Sequence, residues 1–179
     1  MEVVSTKLSE VWLIKPDINP DFRGDYVMIW NKNLYHQYFL NKLFEDAGEK
    51  KPVNFVEDNI STSTKGVLRG IHYSPNCWKL NQCLYGKIYY VVVNCDREDP
   101  EFGKWQSFIL SDQNRYQLLK HPRYGSGFYV LSEFALFHYK QSQYYNASNP
   151  DQQTFKWDSM GIWWPTDKPI LSQRDQQGG

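Results

Sequence analysis

Histidine and cysteine are scarce in this chain: 179 residues hold four of the first (His36, His72, His121, His138) and three of the second (Cys77, Cys83, Cys95). No histidine stands in an H-x-H pair, and no His or Cys pair has zinc-site spacing, so metal catalysis has no motif to rest on. The cysteines are odd in number and form no C-x-x-C, which argues against a disulfide framework and for reduced thiols used in packing. An excess of charge is also missing, since 20 basic and 20 acidic side chains cancel. Without a basic or acidic surplus neither nucleic acid nor an anionic membrane is expected as a partner, and any anion must be met by a local cluster. Long apolar runs are absent too. The longest, at 88–93, is far short of a membrane span, and the N-terminus lacks the pattern of a signal peptide, so the expected location is the cytoplasm. There is no repeat, low-complexity tract or linker, and the length fits one domain over 1–179.

Aromatic residues are plentiful, with 13 Tyr, 10 Phe and 7 Trp. Short β-branched and aromatic runs recur between turn signals: VWLIK, YVMIW, VNFVE, YGKIYYVVV, WQSFIL, GFYVL and FALFHY. Many short, evenly punctuated strands predict an all-β sandwich or barrel. One segment, 33–49, departs from this: Leu34, Phe39, Leu40, Leu43 and Phe44 follow helical spacing and Gly48 offers a stop, which predicts a short surface helix packed on the sheets. Residues 176–179 read as a frayed end.

Among the histidines, His36 falls on the predicted helix and reads as a surface residue, while His121 and His138 read as structural. His72 differs because it sits in GVLRGIHYS (66–74), an apolar strand pattern carrying an arginine and a histidine between glycines. Strict alternation puts Gly70 and His72 on one face and Arg69 and Ile71 on the other. FHYKQSQYY (137–145) alternates so that Phe137, Tyr139, Gln141 and Gln143 share a face; a tyrosine there is either a proton donor or a cross-strand packing residue. LSQRD ends in Asp175, by itself an unremarked carboxylate near the C-terminus.

These pieces and their order resemble the nucleotide-sugar 3,5-epimerases of the cupin class, typified by the dTDP-4-keto-6-deoxyglucose 3,5-epimerase of rhamnose synthesis. The resemblance is carried by DFRGDY (21–26), FVEDNISTS (55–63), GVLRGIHY (66–73), FGKW (102–105), VLSE (130–133), YKQSQYY (139–145) and ILSQRD (170–175). It implies a jelly-roll β-sandwich, a homodimer, no metal and no cofactor. It further implies that His72 is the base that removes a proton beside a ketone, that Tyr139 supplies a proton from the opposite face of the sugar, and that Asp175 holds His72. Arg69 is expected on the diphosphate, and Lys79 on the charge of the enolate. Arg23, Tyr26 and Asn59 are expected in the nucleotide site, with Tyr26 stacking on the base, and Ser126 and Tyr145 about the substrate.

Five departures from the family pattern stand out. Arg174 replaces a lysine, and the interval from His72 to Lys79 is shortened. Ser126 replaces a histidine in G-S-G-F, which removes a cation near the sugar. Met28 and Glu57 stand where the family has glutamate and glutamine. A carboxylate can accept both adjacent N–H donors of guanine, so Glu57 predicts a GDP-linked substrate. The resemblance extends to capsule-synthesis enzymes acting on GDP-linked 4-keto-6-deoxyheptoses. Two other functions fit parts of the pattern: a catalytically silent cupin that binds a sugar nucleotide, and a 4-keto sugar ketoisomerase.

Overall fold

The computed structural model describes residues 1–146 and 152–178. Two antiparallel sheets face each other. The six-stranded sheet, in spatial order β1-β2-β10-β7-β12-β5, is built from β1 (Glu2–Ser5), β2 (Val11–Lys15), β10 (Gln117–Lys120), β7 (Lys79–Tyr85), β12 (Phe134–Gln141) and β5 (Glu57–Thr64). The five-stranded sheet, in order β13-β6-β11-β8-β9, contains β13 (Gln153–Thr154), β6 (Leu68–Tyr73), β11 (Tyr124–Val130), β8 (Lys87–Asn94) and β9 (Trp105–Ser111). A separate hairpin pairs β3 (Asn19–Asp21) with β4 (Gly24–Tyr26). This is the expected jelly-roll sandwich.

Three apolar layers bury the sheets, and together they explain why β8 reads KIYYVVVN with no polar alternation. Tyr90 and Val92 point into the sandwich with Val11, Leu118, Phe128 and Phe137. Tyr89, Val91 and Val93 point outward and are covered by Ile162 and Trp164 of the C-terminal segment. A strand buried on both faces has no solvent face to carry polar residues. On the outer face of the six-stranded sheet, Ile14, Trp78, Leu80 and Leu119 pack against Tyr35, Leu40 and Phe44. The last three lie on the expected helix, where α1 (Lys32–Tyr35) passes through a π-helical turn (His36–Leu40) into α2 (Asn41–Asp46). The Asn31 side chain caps it by accepting from Leu34 N–H, and Gly48, at φ +82°, follows its end.

Two apolar runs expected as strands are not. YVMIW leaves β4 at Tyr26, and VNFVE joins β5 only at Glu57. Met28, Trp30, Val53 and Phe55 instead fill the layer around the helix. Conversely β5 and β7 carry Asn, Gln, Ser and Thr that mask their strand character. The C-terminal end is ordered through α3 (Gln173–Gln177), so Gln176 and Gln177 are helical and not frayed; Gly179 lies outside the described residues. The three cysteines are free and buried, in keeping with a packing role.

Candidate active site

The site begins with an irregularity in β6. His72 pairs with Ser126 and Arg69 with Phe128, so three residue steps on β6 oppose two on β11. This bulge cancels the strict alternation, and Arg69 and His72 line the same cavity, contrary to the expectation that they face opposite ways. Gly70 makes it sterically feasible: its φ is +115°, and a Cβ there would lie 2.5 Å from Gly127 Cα. The glycine in LRGIH therefore serves close backbone approach between two strands.

The cavity, about 240 Å³ in volume, opens between the two sheets and is lined from both. The five-stranded sheet contributes Arg69, His72, Tyr90 and Ser126, and the six-stranded sheet Asn59, Lys79, Asn81 and Tyr139. His72 and Tyr139 thus stand on facing walls of one space. Behind His72, the C-terminal segment runs beside the start of β6 through a parallel bridge between Val67 and Ile170 and delivers α3. Ser172 caps α3 by accepting from Asp175 N–H, and the Asp175 carboxylate lies 2.7 Å from His72 Nε2. A carboxylate can only accept, so Nε2 is the donor in this pair. Burial pushes the Asp175 carboxyl up, but hydrogen bonds from His72, Ser172 and the Gly70 backbone outweigh it, and the net shift is downward. Asp175 is ionised at neutral pH.

Opposite, Tyr139 has its phenol pushed up, first by burial and then by the nearby Glu57, so it holds its proton at neutral pH. Lys79 Nζ lies 5.1 Å from the centre of its ring. Burial pulls the Lys79 ammonium down, and Glu57 partly restores it. In register across the sheet from Lys79 is Lys120, buried, whose Nζ donates to the Tyr124 carbonyl. Burial, and then the neighbouring Lys79, lower Lys120 to about 7.

Arg69 is placed at the rim, its Nε donating to Ser63 Oγ at 2.9 Å and its Nη2 to the Thr62 carbonyl at 3.1 Å. Glu57 lies outside the cavity lining, and its oxygens are engaged: Oε1 accepts from Asn59 at 2.8 Å and Gln141 at 3.0 Å, Oε2 from Tyr145 N–H at 2.8 Å. The carboxylate expected to read guanine is already met by three donors of its own chain. Tyr145 is exposed and contributes that backbone contact. Arg23 and Tyr26 stand on the exposed β3–β4 hairpin, where Arg23 pairs with Asp21 at 2.6 Å, and neither lines the cavity. Tyr90 and Asn81 do line it and were not legible as site residues. Tyr90 hides in the apolar run of β8, and Asn81 in a strand whose polar residues obscure its period.

Comparison with known proteins gives a consistent picture. The family model described as dTDP-4-dehydrorhamnose 3,5-epimerase matches residues 5–179. The dTDP-4-dehydrorhamnose 3,5-epimerase of Shigella flexneri is 37% identical over 181 residues, covering 99% of this chain and 94% of that protein. The dTDP-4-dehydrorhamnose 3-epimerase of Streptomyces niveus is 31% identical, covering 93% of this chain and 77% of the relative. Among solved structures, the dTDP-6-deoxy-D-glucose-3,5-epimerase of Legionella pneumophila, in complex with dTDP-4-keto-L-rhamnose, superimposes with a TM-score of 0.84 at 31% identity, covering 97% of this chain and 89% of that one. With a cavity walled by two sheets and a match over nearly its whole length, this chain belongs to the dTDP-4-dehydrorhamnose 3,5-epimerase family and is a nucleotide-sugar epimerase.

Proposed function

We propose that this enzyme inverts both C3 and C5 of a dTDP-linked 4-keto-6-deoxyhexose by proton transfer between His72 and Tyr139. The observation that carries the reading is that these two side chains come from facing sheets and line one cavity. A 4-keto group acidifies the hydrogens on its neighbouring carbons. His72 Nδ1 takes the proton from one face of the sugar, the C–H electron pair passes into the enolate, and the Tyr139 hydroxyl returns a proton to the same carbon from the other face. Solvent then restores the neutral imidazole and the phenol. Asp175 favours the imidazolium that forms, and Lys79 is the cation available to the enolate oxygen. Positioned acid and base groups of this kind contribute roughly 10²–10⁴ in rate.

Two lines favour thymidine over the guanine read from the sequence. The relatives are named for dTDP sugars, and Glu57 already accepts three hydrogen bonds inside the chain. The resemblance implies a homodimer, and the hairpin with Arg23 and Tyr26 is exposed in the single chain. Light scattering measures that assembly directly.

Incubation with dTDP-4-keto-6-deoxyglucose in D₂O tests the reaction. Deuterium at both C3 and C5 with inversion is the expected result. Label at C3 alone indicates a 3-epimerase, no uptake indicates a silent binder, and a moved carbonyl indicates ketoisomerisation. Calorimetry with dTDP and GDP tests the base, and tighter binding of GDP would reverse the assignment.

A further inference from the structure

Tyr90 is a group in the cavity that the proton transfers leave unused. It lies in the middle of β8, only 1% exposed, with its ring stacked on Phe137 at 5.7 Å between centroids. It lines the same cavity as His72, Tyr139 and Ser126. Its hydroxyl has no hydrogen-bond partner among the described residues. Ser126, diagonal to it across the β8–β11 pair, is near enough to pull its pKa down slightly against a large upward push from burial, yet does not form a hydrogen bond of ordinary geometry with it. The phenol therefore keeps its proton, deep in the sandwich, with no acceptor for it among the described residues.

An unpaired buried hydroxyl costs stability that a phenylalanine in the same place would not. Tyr90 lines the ligand cavity, and its hydroxyl, shielded from solvent in this structure, gains a partner when a ligand packs against it. The chemistry of that partner follows from the surroundings. The charged guanidinium of Arg69 is at the rim, where a diphosphate would lie, whereas Tyr90 is flanked by Phe128, Phe137 and the neutral Ser126. A neutral phenol offering one donor and one acceptor there matches a sugar hydroxyl, which offers the same. We propose that Tyr90 is a sugar-recognition residue whose phenol hydrogen-bonds the C2 or C3 hydroxyl of the bound keto sugar and thereby selects the sugar. This rests on the nucleotide-sugar reading of the cavity.

The test uses dTDP-quinovose, whose 4-hydroxyl in place of a ketone prevents enolisation, with dTDP as the reference ligand. In the absence of ligand, Tyr90→Phe is expected to melt at the wild-type temperature or above it, because an unsatisfied hydroxyl has been removed. Calorimetry should show unchanged dTDP binding and roughly tenfold weaker dTDP-quinovose binding. Against the deoxy analogue lacking the contacted hydroxyl, wild type and variant should bind alike. A lowered melting temperature with unchanged dTDP-quinovose affinity would make the hydroxyl structural and overturn the proposal. Should the variant fail to fold, wild-type affinities for the 2-deoxy and 3-deoxy analogues decide: a loss of roughly tenfold for one of them supports the proposal, and equal affinity for all three sugars overturns it. Wild-type protein that fails to bind dTDP-quinovose overturns the nucleotide-sugar reading and this inference together, whereas wild-type binding that Tyr90→Phe leaves unchanged overturns only the role of Tyr90.

Discussion

His72 and Asp175 lie 103 residues apart in the chain and meet at 2.7 Å, Nε2 to Oδ1, because the C-terminal segment runs back along β6 to set α3 behind the imidazole. The pairing leaves Nδ1 as the ring nitrogen that Asp175 does not engage. Asp175→Asn keeps the shape and removes the charge, so the exchange rate in D₂O is expected to fall by about 10² or more while KM changes little. His72→Asn should abolish exchange. The pairing also has a pH signature. The Asp175 carboxyl is held below its ordinary 3.8 in the folded state, so its stabilising contribution is complete above that value and is lost as pH falls through the lower folded pKa. Urea denaturation of wild type and Asp175→Asn between neutral and acid pH should show the variant with the flatter acid limb.

Tyr139 and Lys79 separate two demands of the reaction. Removing the phenol in Tyr139→Phe should leave His72 able to exchange a proton on its own face while slowing inversion by about 10²–10³. Removing the ammonium in Lys79→Met should slow exchange and inversion alike, since both pass through the enolate. Deuterium content and product configuration, followed by NMR in one sample, distinguish the two patterns. Equal losses of exchange and inversion in Tyr139→Phe would remove the phenol from its assigned face.

Gly70 carries the bulge that turns Arg69 and His72 toward one cavity. A Cβ at this position would lie 2.5 Å from Gly127 Cα and 2.7 Å from the Ser126 carbonyl, both backbone atoms that cannot swing away. Gly70→Ala is expected to destabilise the protein by at least about 2 kcal/mol and to reduce activity beyond what the lower folded population explains. Chemical denaturation together with activity at a temperature where the variant is folded checks both parts.

Lys120 predicts a stability profile of its own. Burial, reinforced by Lys79 across the strand pair, lowers its pKa from 10.5 to about 7 in the folded protein. Between these values the unfolded chain binds more protons than the folded one, so stability rises with pH across that window. Lys120→Met replaces an amine held in the apolar core and should flatten the rise, with its largest stabilising effect at or below neutral pH. Thermal melts from about pH 6 to about pH 11 bracket both values and measure the slope.

How much of this was legible depended on whether a residue's role was written in its neighbours along the chain. The helix was, because Leu34, Phe39, Leu40, Leu43 and Phe44 repeat at helical spacing and Gly48 follows them. The doubly buried β8 was, because burial on both faces leaves an unbroken apolar run. β5 and β7 were not, since one is an edge strand with a solvent face and the other turns Lys79 and Asn81 into a polar cavity. The runs at 26–30 and 53–57 misled for the opposite reason, being apolar to fill space beside a helix.

From the sequence by itself came the all-β class, the family likeness, and the residue types needed for proton transfer: a histidine, a tyrosine, a carboxylate and a lysine. The class follows from local order, which needs no partner in space, whereas the roles of those residues are what the likeness implies. The three-dimensional structure alone decided that Arg69 and His72 share a face, that Glu57 is already engaged, and that Tyr90 holds an unanswered hydroxyl. Each of these depends on which strand lies alongside which, and one extra residue in a β-ladder is enough to reverse a side chain's direction.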